Sequence, residues 1–334
     1  MSWPLLECVV NISEGRDRAF LLELAQLLQK SEVQLLHLDA GYDAHRTVYT
    51  FAGSPERVVE AAFRLIDFCA RQLDMRQHQG SHPRIGAVDV CPLVPIRGVS
   101  LEEAADLARQ LGRRVGEELE LPVYLYEAAA SAPHRKNLAA LRRGEYEDLA
   151  ERLLEPGWQP DFGPPRFVPK FGAIVIGARP FLLAYNINLP SEASLRLAKY
   201  LAGRLRESGR GGYPGIFKGL KAIGWRQDSF DCCQVSCNIV DAEAVNLAEL
   251  YDKCRELARA EGSDVNGSEL IGLLPERYLL AAGRYWETST TDEQARDLAI
   301  ERLGLGAIKP FVWEERLLES ALSNPAIDPE KWLG

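Results

Sequence analysis

The order of strand-like and helix-like segments repeats along this chain, and this repeat restricts the folds that the chain can adopt. In the first half, hydrophobic periodicity predicts strands at residues 5–12, 33–39, 47–52 and 85–94, with helices at 17–30 and 54–71. In the second half, it predicts strands at residues 181–189, 221–227, 233–240 and 268–273, with helices at 192–207 and 241–260. Two passes of β-α-β-β-α-β predict an α+β or α/β sandwich of two ferredoxin-like subdomains, each with helices on one face of a mixed sheet.

Capping signals mark where several of these helices begin. The residues expected to serve as N-caps are Ser54, Ser100, Ser191 and Asp241. Pro55 suits the first helical position, and Glu103 completes a capping box with Ser100. The capping box predicts a further helix that ends near residue 118, followed by a short strand at 123–126.

The joint between the two subdomains is expected in the Pro- and Gly-rich segment 158–179. The predicted domains are therefore 1–179, 180–300 and a helical tail at 301–334, with tail helices near 292–303 and 314–322. By composition alone, segment 158–179 reads as an idle linker. Between two domains of an enzyme, a stiff loop of this kind also commonly lines a ligand pocket.

Composition and charge exclude several classes of function. The chain has 334 residues, of which 46% are hydrophobic and 26% charged, as is ordinary for a globular enzyme. The net charge of −9 argues against nucleic acid or an anionic membrane as partner. No apolar run is long enough to span a membrane, and the N-terminal residues lack the pattern of a signal peptide.

The seven cysteines lie in apolar contexts and are expected to be reduced, which predicts a cytoplasmic protein. Cys232, Cys233 and Cys237 crowd one strand, but no histidine accompanies them and their spacing fits no zinc pattern. We therefore expect no metal site.

One histidine stands in a setting that suits proton transfer. In Ser81-His82-Pro83-Arg84-Ile85-Gly86, the proline fixes its own φ and restricts the residue before it. The imidazole of His82 is therefore held by a stiff backbone at the entrance to a strand. Because the ordinary pKa of histidine is near neutral, such a side chain can both accept and donate protons. Taken alone, a histidine of this kind is more often a partly exposed loop residue.

Segment 78–92, together with Arg97-Gly98-Val99, closely resembles glutamate formiminotransferase, which is also the N-terminal half of formiminotransferase-cyclodeaminase. Further blocks of likeness are Glu7-Cys8-Val9, Asn11 to Gly15, Asp39-Ala40-Gly41, Arg46 to Phe51, Pro122 to Tyr126, Asp161 to Pro164, Phe167-Val168-Pro169, Gly177-Ala178-Arg179, Asn186 to Leu189, Gly209-Arg210-Gly211, Gly224-Trp225, Gln234-Val235-Ser236 and Gly267 to Leu270. These blocks cover about nine tenths of the chain in order, far more than a chance motif match.

The resemblance implies two subdomains side by side, with the ligand in the groove between them. It implies a transferase of histidine degradation and one-carbon metabolism, which moves the formimino group of N-formimino-L-glutamate to N5 of tetrahydrofolate. Tetrahydrofolate is then a co-substrate, and we expect His82 to act as general acid and base. Asp39 would orient the imidazole or bind the cationic amidine. The alternative for Asp39 is a strand-end aspartate that accepts hydrogen bonds from nearby backbone N–H groups.

The resemblance also places part of the joint along the folate. The matching residues, expected to contact folate, are Asp161, Phe162, Gly163, Pro164, Phe167, Val168, Pro169 and Gly172. Lys170 and Phe171 depart from the order expected at this point. Lys170 is kept in the predicted folate-binding set by its position.

A run of basic residues in the second half predicts a site for an anion. Arg206 and Arg210 flank or lie in the glycine-rich loop 209–215, in a segment where Glu207 is the only acid between residues 204 and 226. Such a loop supplies both N–H groups and charge, and arginine pairs with carboxylates in a bidentate manner. The carboxylates expected are the glutamate tail of folate and those of formiminoglutamate. The alternative is a solvated charged face.

Two other functions remain open from the sequence: a different folate-processing activity on the same scaffold, such as one on 5-formyltetrahydrofolate, or a non-catalytic folate-binding protein. Too few residues follow position 301 to build a cyclodeaminase domain, because an independent domain generally needs at least ~50 residues. We therefore expect a monofunctional transferase. Its expected partners are the two small substrates, a second copy of the chain as a homodimer, and a separate cyclodeaminase protein.

Overall fold

The computed structural model describes residues 4–324 and 328–332. Two compact units are present, one running to Pro180 and the other from Phe181 to Asn324, and residues 328–332 belong to the first. Residues 1–3 of the first predicted domain, and 325–327 and 333–334 of the predicted tail, lie outside the described residues. Within these ranges, no helix is both long and apolar enough to cross a membrane.

The first unit is built on a six-stranded sheet. Its strands are β1 (Leu5–Ile12), β2 (Gln34–Gly41), β3 (Arg46–Gly53), β4 (Val88–Arg97), β5 (Val123–Glu127) and β6 (Ile174–Ala178). Their order across the sheet is β2-β3-β1-β4-β6-β5. The first four strands pair antiparallel, and β6 runs parallel to both β4 and β5. The sheet is therefore mixed, as predicted.

Three long helices cover one face of this sheet. They are α1 (Arg18–Gln29), α2 (Pro55–Gln72) and α3 (Leu101–Glu118), and two short helices follow, α4 (Leu138–Leu141) and α5 (Leu149–Arg152). Alternate residues of β1, such as Cys8 and Val10, lie in the core beneath the long helices. The predicted capping box of Ser100 and Glu103 is formed at the start of α3. Next to α1, Trp332 packs against His37 of β2, with ring centroids 4.9 Å apart.

Strand β6 corrects the prediction that segment 158–179 is only a joint. All five of its residues are buried, and it pairs with β4 on one side and β5 on the other. The apolar run is short, and the prolines and glycines before it dominate the local composition. Only the pairing with two strands distant in sequence makes it a central strand. The loop proper is therefore shorter and leads directly into the sheet.

The second unit repeats the same order of elements around a four-stranded sheet. Its strands are β7 (Leu183–Asn188), β8 (Leu220–Gln227), β9 (Cys232–Ile239) and β10 (Ser268–Ile271), and its helices are α6 (Leu195–Leu205), α7 (Leu247–Ala260), α8 (Glu276–Trp286), α9 (Asp292–Leu303) and α10 (Leu318–Ser323). The strand order is β10-β7-β9-β8, with antiparallel pairing throughout. The prediction of two α+β subdomains is confirmed.

Two predicted helix caps in this unit are wrong. The N-cap of α6 is Ser194 rather than Ser191, and the N-cap of α7 is Asn246 rather than Asp241. The segment before α6 closes a turn of its own, and Asp241 accepts a hydrogen bond from the N–H of Ala244 in another. Because polar residues cap single turns as well as helices, composition alone does not separate the two cases.

The chain direction of the strands gathers several loops of the first unit at one edge of its sheet. Strands β1 and β2 end at this edge, and β3, β4 and β6 begin there, as their pairing requires. The loops 13–17, 42–45, 79–87 and 163–173 therefore meet. His82 and most of the predicted folate loop lie in this group.

Candidate active site

The loop that carries His82 is fixed to the β2–β3 turn. The N–H and hydroxyl of Ser81 both donate to the carbonyl of Asp43, each at 3.1 Å. His45 Nδ1 lies 2.9 Å from the carbonyl of Gln79. At Gly80, an added Cβ would lie 2.3 Å from the carbonyl oxygen of Ala44. The backbone on the N-terminal side of His82 is therefore tightly packed.

The C-terminal side of the same loop is fixed to the predicted folate loop. The N–H of Ala87 donates to the carbonyl of Phe171 at 2.8 Å, and the N–H of Ala173 donates to the carbonyl of Ile85 at 3.0 Å. Gly172, at φ +81°, lies between these bonds opposite Gly86. The structure thus brings the His82 loop together with the end of the predicted folate loop.

His82 is half-buried, and its Nδ1 atom has two neighbours of opposite hydrogen-bonding character. The carbonyl oxygen of Pro83 lies 2.9 Å away and can only accept, whereas Arg46 Nη1 lies 3.2 Å away and can only donate. With a proton on Nδ1, the ring donates to Pro83 and Nε2 carries a lone pair. With the proton on Nε2, Nδ1 accepts from Arg46. Each neutral tautomer therefore has a partner at Nδ1, and among the described residues none hydrogen-bonds to Nε2.

Arg46 belongs to a buried cluster of charges. Its Nη1 donates to Asp89 Oδ2 at 2.7 Å, and its Nε donates to Asn11 Oδ1 at 2.9 Å. Arg142 donates to the same Asp89 oxygen from Nη2. The Asp89 side chain is fully buried and also accepts from the N–H of Ile85 at 3.0 Å. This carboxylate therefore links both arginines to the backbone just after His82.

These contacts determine which groups carry charge. Burial, Arg46 and Arg142 hold the pKa of His82 well below its usual value, so the ring is neutral near pH 7. Although burial opposes it, the two arginines lower the pKa of Asp89 to about 2. Burial lowers the pKa of Arg46 to about 10, which leaves it charged at neutral pH. A neutral imidazole thus lies beside a permanently charged cluster.

Asp39 lies on the same sheet, near the end of β2. It is opposite Val48 of β3, which is opposite Asn11 of β1, so Asp39 and Asn11 share one face of the sheet. With one strand between them, their backbones are about 10 Å apart. Asp39 thus faces the same side as the asparagine that binds Arg46, while Arg46 and Pro83 make the hydrogen bonds to His82.

The first half of the predicted folate loop is packed against β5 and α3. Asp161 accepts from the N–H of Leu125 at 2.8 Å, from the hydroxyl of Ser131, and from Arg135 Nη1 at 2.8 Å. Its carboxylate therefore already has three donors. Phe162 lies against α3, and Gly163, at φ +80°, has no room for a side chain because a Cβ would lie 2.0 Å from the carbonyl of Leu121.

The second half of this loop is more exposed. Pro164, Phe167 and Val168 are half-buried, and Pro169 and Lys170 are exposed. Lys170 Nζ donates to the carbonyl of Arg71 at the C-terminal end of α2, a favourable place for a cation. Phe171 is buried in the core of the unit.

A cavity of about 690 Å³ opens beside this loop. The cavity is lined by α1, the end of α2, the loops 13–17, 42–45 and 73–78, and Lys170. The lining side chains include Glu14, Phe20, His45, Met75 and His78. His45 and His78 stack with their ring centroids 4.4 Å apart. The Glu14 carboxylate accepts from three successive backbone N–H groups. Although burial opposes it, the hydrogen bonds from His45 and from the N–H groups of Asp17 and Arg16 lower the pKa of Glu14 to about 2.

Arg206 and Arg210 lie in the second unit. Arg206 donates to the carbonyls of Gly209 and Ala222, each at 3.2 Å, so it holds its own loop together. Arg210 is exposed at the base of a tight hairpin whose central residues, Gly211 and Gly212, both have positive φ. Of the two, Arg210 presents the more accessible guanidinium.

The sequence predicts neither Asp89 nor Arg142 as a site residue, and Asp89 and Arg46 lie only within blocks of family likeness. Asp89 offered one signal, since a carboxylate inside the apolar run 87–95 needs a buried partner. Nothing in the sequence marks Arg142 as that partner. Over residues 4–324 and 328–332, no group of three or more His, Cys, Asp or Glu side chains is placed to hold a metal ion.

The chain matches known families over nearly its whole length. Residues 5–179 match the family model described as the formiminotransferase domain, N-terminal subdomain, and residues 184–323 match the formiminotransferase domain. The chain is 37% identical to glutamate formimidoyltransferase of Streptococcus pyogenes over 84% of this chain and 93% of the relative. It is 38% identical to the Thermoplasma acidophilum enzyme of the same name, over 84% of this chain and 92% of that one.

A longer relative, formimidoyltransferase-cyclodeaminase of Rattus norvegicus, is 43% identical over 98% of this chain, which spans 61% of the relative's length. The two units define a two-domain α+β protein, and its first unit holds a histidine beside buried arginines. The family likeness found in the sequence is confirmed. The chain belongs to the formiminotransferase family.

Proposed function

We propose that this protein is a glutamate formimidoyltransferase, which moves the formimino group of N-formimino-L-glutamate to N5 of tetrahydrofolate. Relatives of that name match over most of this chain. The observation that carries the proposal is the paired environment of His82 Nδ1, with an acceptor at 2.9 Å and a donor at 3.2 Å. This arrangement suits a group that must first accept and then donate a proton.

In the proposed reaction, N5 attacks the amidine carbon, a tetrahedral intermediate forms, and the bond from this carbon to the glutamate nitrogen breaks. N5 loses one proton and the glutamate nitrogen gains one. His82 Nε2 accepts the first proton while Nδ1–H donates to the Pro83 carbonyl. The imidazolium then returns a proton to the leaving nitrogen. Its low pKa makes it a strong acid at that moment.

The other predicted site residues have different roles in this proposal, some as contacts to the substrates and others as parts of the loop structure. Phe167, Pro169 and Lys170 on the accessible half of the folate loop are offered as contacts to tetrahydrofolate. Asp161 and Gly163 shape the loop rather than touch the ligand, because their surroundings leave little room. Arg210 is the candidate for the glutamate tail. Asp39 would act on the cationic amidine from its place on β2.

Location and assembly complete the proposal. The described cysteines are buried and form no disulfide, and the thiols of Cys8 and Cys91 lie within hydrogen-bond distance, 3.6 Å between sulfurs. Close unbonded thiols are typical of a reducing compartment, so we place the enzyme in the cytoplasm. Histidine degradation and one-carbon metabolism, a homodimer and a separate cyclodeaminase partner belong to the proposal as well.

The test is a direct assay of formiminoglutamate consumption in the presence of tetrahydrofolate. The wild-type protein is expected to form 5-formiminotetrahydrofolate. His82→Gln should fold normally and bind folate, yet lower turnover by ~10²-fold or more, because only proton transfer is removed. His134→Gln is the control, since His134 is exposed and contacts the carbonyl of Gly157 and the ring of Trp158. Wild-type turnover in folded His82→Gln would refute the role of His82.

A further inference from the structure

The charged cluster beside His82 holds one more positive charge than negative. Arg46 and Arg142 share the single carboxylate of Asp89, and His82 is neutral. Two other buried arginines of the unit, Arg84 and Arg135, pair with carboxylates that no second arginine shares. Arg84 pairs with both Glu145 and Glu147, and their side chains carry the compensating charge. A buried excess charge is costly unless something neutralises it.

Both arginines also have donors left over. Arg46 uses Nε and Nη1, and Arg142 uses Nε and Nη2. Among the described residues, no hydrogen bond is made by Arg46 Nη2 or by Arg142 Nη1. The Arg46 side chain is 9% exposed and that of Arg142 is 14% exposed, so each is open to a ligand only over a small part of its surface.

Arg142 is positioned before any ligand arrives. It follows the last residue of α4, and Arg152 binds the carbonyls around that point: Leu141, Arg143 at 2.8 Å and Ala140 at 2.7 Å. The Arg152 guanidinium stacks on Trp158 at 3.8 Å from the ring centroid. A donor pair fixed in this way binds an anion with little loss of side-chain entropy.

We infer that Arg46 and Arg142 form a subsite beside His82 that binds a carboxylate of the amino-acid donor. This inference rests on the proposed function for the identity of the donor. The leaving nitrogen must reach His82, and the carbon that bears it also bears a carboxylate. Two guanidinium groups with unused N–H donors match the charge and geometry of that group.

The test measures binding as well as turnover, so that the subsite and the reaction can fail separately. L-glutamate, L-glutamine and L-isoglutamine are titrated calorimetrically into wild type, Arg142→Gln, Arg142→Lys and the control Arg143→Gln. Each amide removes the charge of one carboxylate. Arg142→Gln leaves Asp89 paired with Arg46, so the variant should fold; Arg143 is exposed and adjacent in sequence.

We expect wild type and Arg143→Gln to bind glutamate at least ten times more tightly than one of the two amides. Arg142→Gln should bind glutamate ~10–100-fold more weakly and lose that preference, with Arg142→Lys intermediate. In the transfer assay, the KM for formiminoglutamate should rise while the KM for tetrahydrofolate stays constant. The amide whose disadvantage disappears identifies the carboxylate that is bound.

Unchanged glutamate affinity in Arg142→Gln, or a preference over the amides that persists there, would overturn the inference. So would a rise in KM for tetrahydrofolate alone, which would assign these arginines to the folate tail. If wild type binds glutamate with the expected preference but transfers no formimino group, the proposed function fails and the carboxylate subsite stands.

Discussion

At the scale of single residues, the chemistry of the site depends on which groups stay charged. Asp89 can remain an anion in a fully buried position because it accepts from Arg46, Arg142 and a backbone N–H. Burial is the main cause that disfavours a proton on His82, and the same two arginines add to it. Burial and the cluster therefore keep the imidazole in its basic form.

The pH dependence of catalysis tests this arrangement. Because the pKa of His82 is well below 6.5, the base form persists at mildly acidic pH and the acid limb of kcat/KM should lie below pH 6.5. Burial is the largest cause of the low pKa of His82, and it remains in Arg142→Gln; the substitution removes one of the smaller causes, a nearby positive charge. Because loss of that charge raises the pKa of His82, we expect the acid limb to move to higher pH in Arg142→Gln and to stay in place in Arg143→Gln. An acid limb near pH 7 in wild type would contradict the charge assignment.

At the scale of elements, the site depends on loops that can approach one another closely. Strands β4 and β6 begin side by side, so the segments before them must pass within hydrogen-bond distance. Gly86 and Gly172 make this possible: a Cβ on either would lie close to a carbonyl oxygen of the other segment, at 2.1 Å and 2.2 Å respectively.

Gly172→Ala and Gly157→Ala separate two reasons why a position requires glycine: a positive φ and a lack of space for a Cβ. Their φ values, +81° and +82°, impose similar backbone strain on alanine. A Cβ at Gly157 would have no atom within 4 Å, whereas at Gly172 it would meet the carbonyl of Ile85. We expect Gly157→Ala to cost about 1 kcal/mol in unfolding free energy and to keep its activity. Gly172→Ala should lose more stability and most of its turnover, because the His82 loop must shift. Equal effects in urea titration and in the transfer assay would contradict this account.

The sequence predicts the elements well where the signal is local. The capping box of Ser100 and Glu103 is local, and it appears at the predicted place. Strand β6 depends on two partners far along the chain, and its five residues carry no periodicity of their own. The same limit applies to the site. His82 stands out because of the proline beside it, whereas Asp89 and Arg142 are 53 residues apart and meet only in the fold.

At the scale of the whole molecule, the same order of elements occurs twice, but the two units carry different functional side chains. The edge of the first sheet collects a histidine, arginines and a carboxylate, whereas the second unit presents an exposed glycine-rich hairpin with Arg210. The repeat was predictable from alternating apolar runs. The functional residues of each unit lie in a few loops, so the order of strands and helices does not predict them.

The stability of the fold also depends on a second buried carboxyl, Glu7, whose pKa is shifted in the opposite direction to that of Asp89. Glu7 is fully buried in β1, and neither of its carboxylate oxygens has a hydrogen-bond partner among the described residues. Burial raises the pKa of Glu7 to about 7, although the charge of Arg179 partly opposes this. The folded protein therefore holds a proton that the unfolded chain releases near pH 4.5. The stability that depends on this proton is present below pH 4.5 and is lost as pH rises towards and through 7.

Glu7→Gln should remove this pH dependence. At pH 5, where Glu7 is neutral in the folded state, the variant should be more stable than wild type by less than about 1 kcal/mol, because this pH lies only half a unit above the unfolded pKa of 4.5. At pH 8 it should be more stable, by up to roughly 3.5 kcal/mol, because the pKa of Glu7 rises from 4.5 to about 7 on folding and each pKa unit corresponds to about 1.4 kcal/mol. Urea titrations at both pH values measure this, with the exposed Glu117→Gln as the control. A variant that is less stable than wild type by the same amount at pH 5 and pH 8 would show that Glu7 acts through packing, because only a titrating carboxyl makes the difference depend on pH.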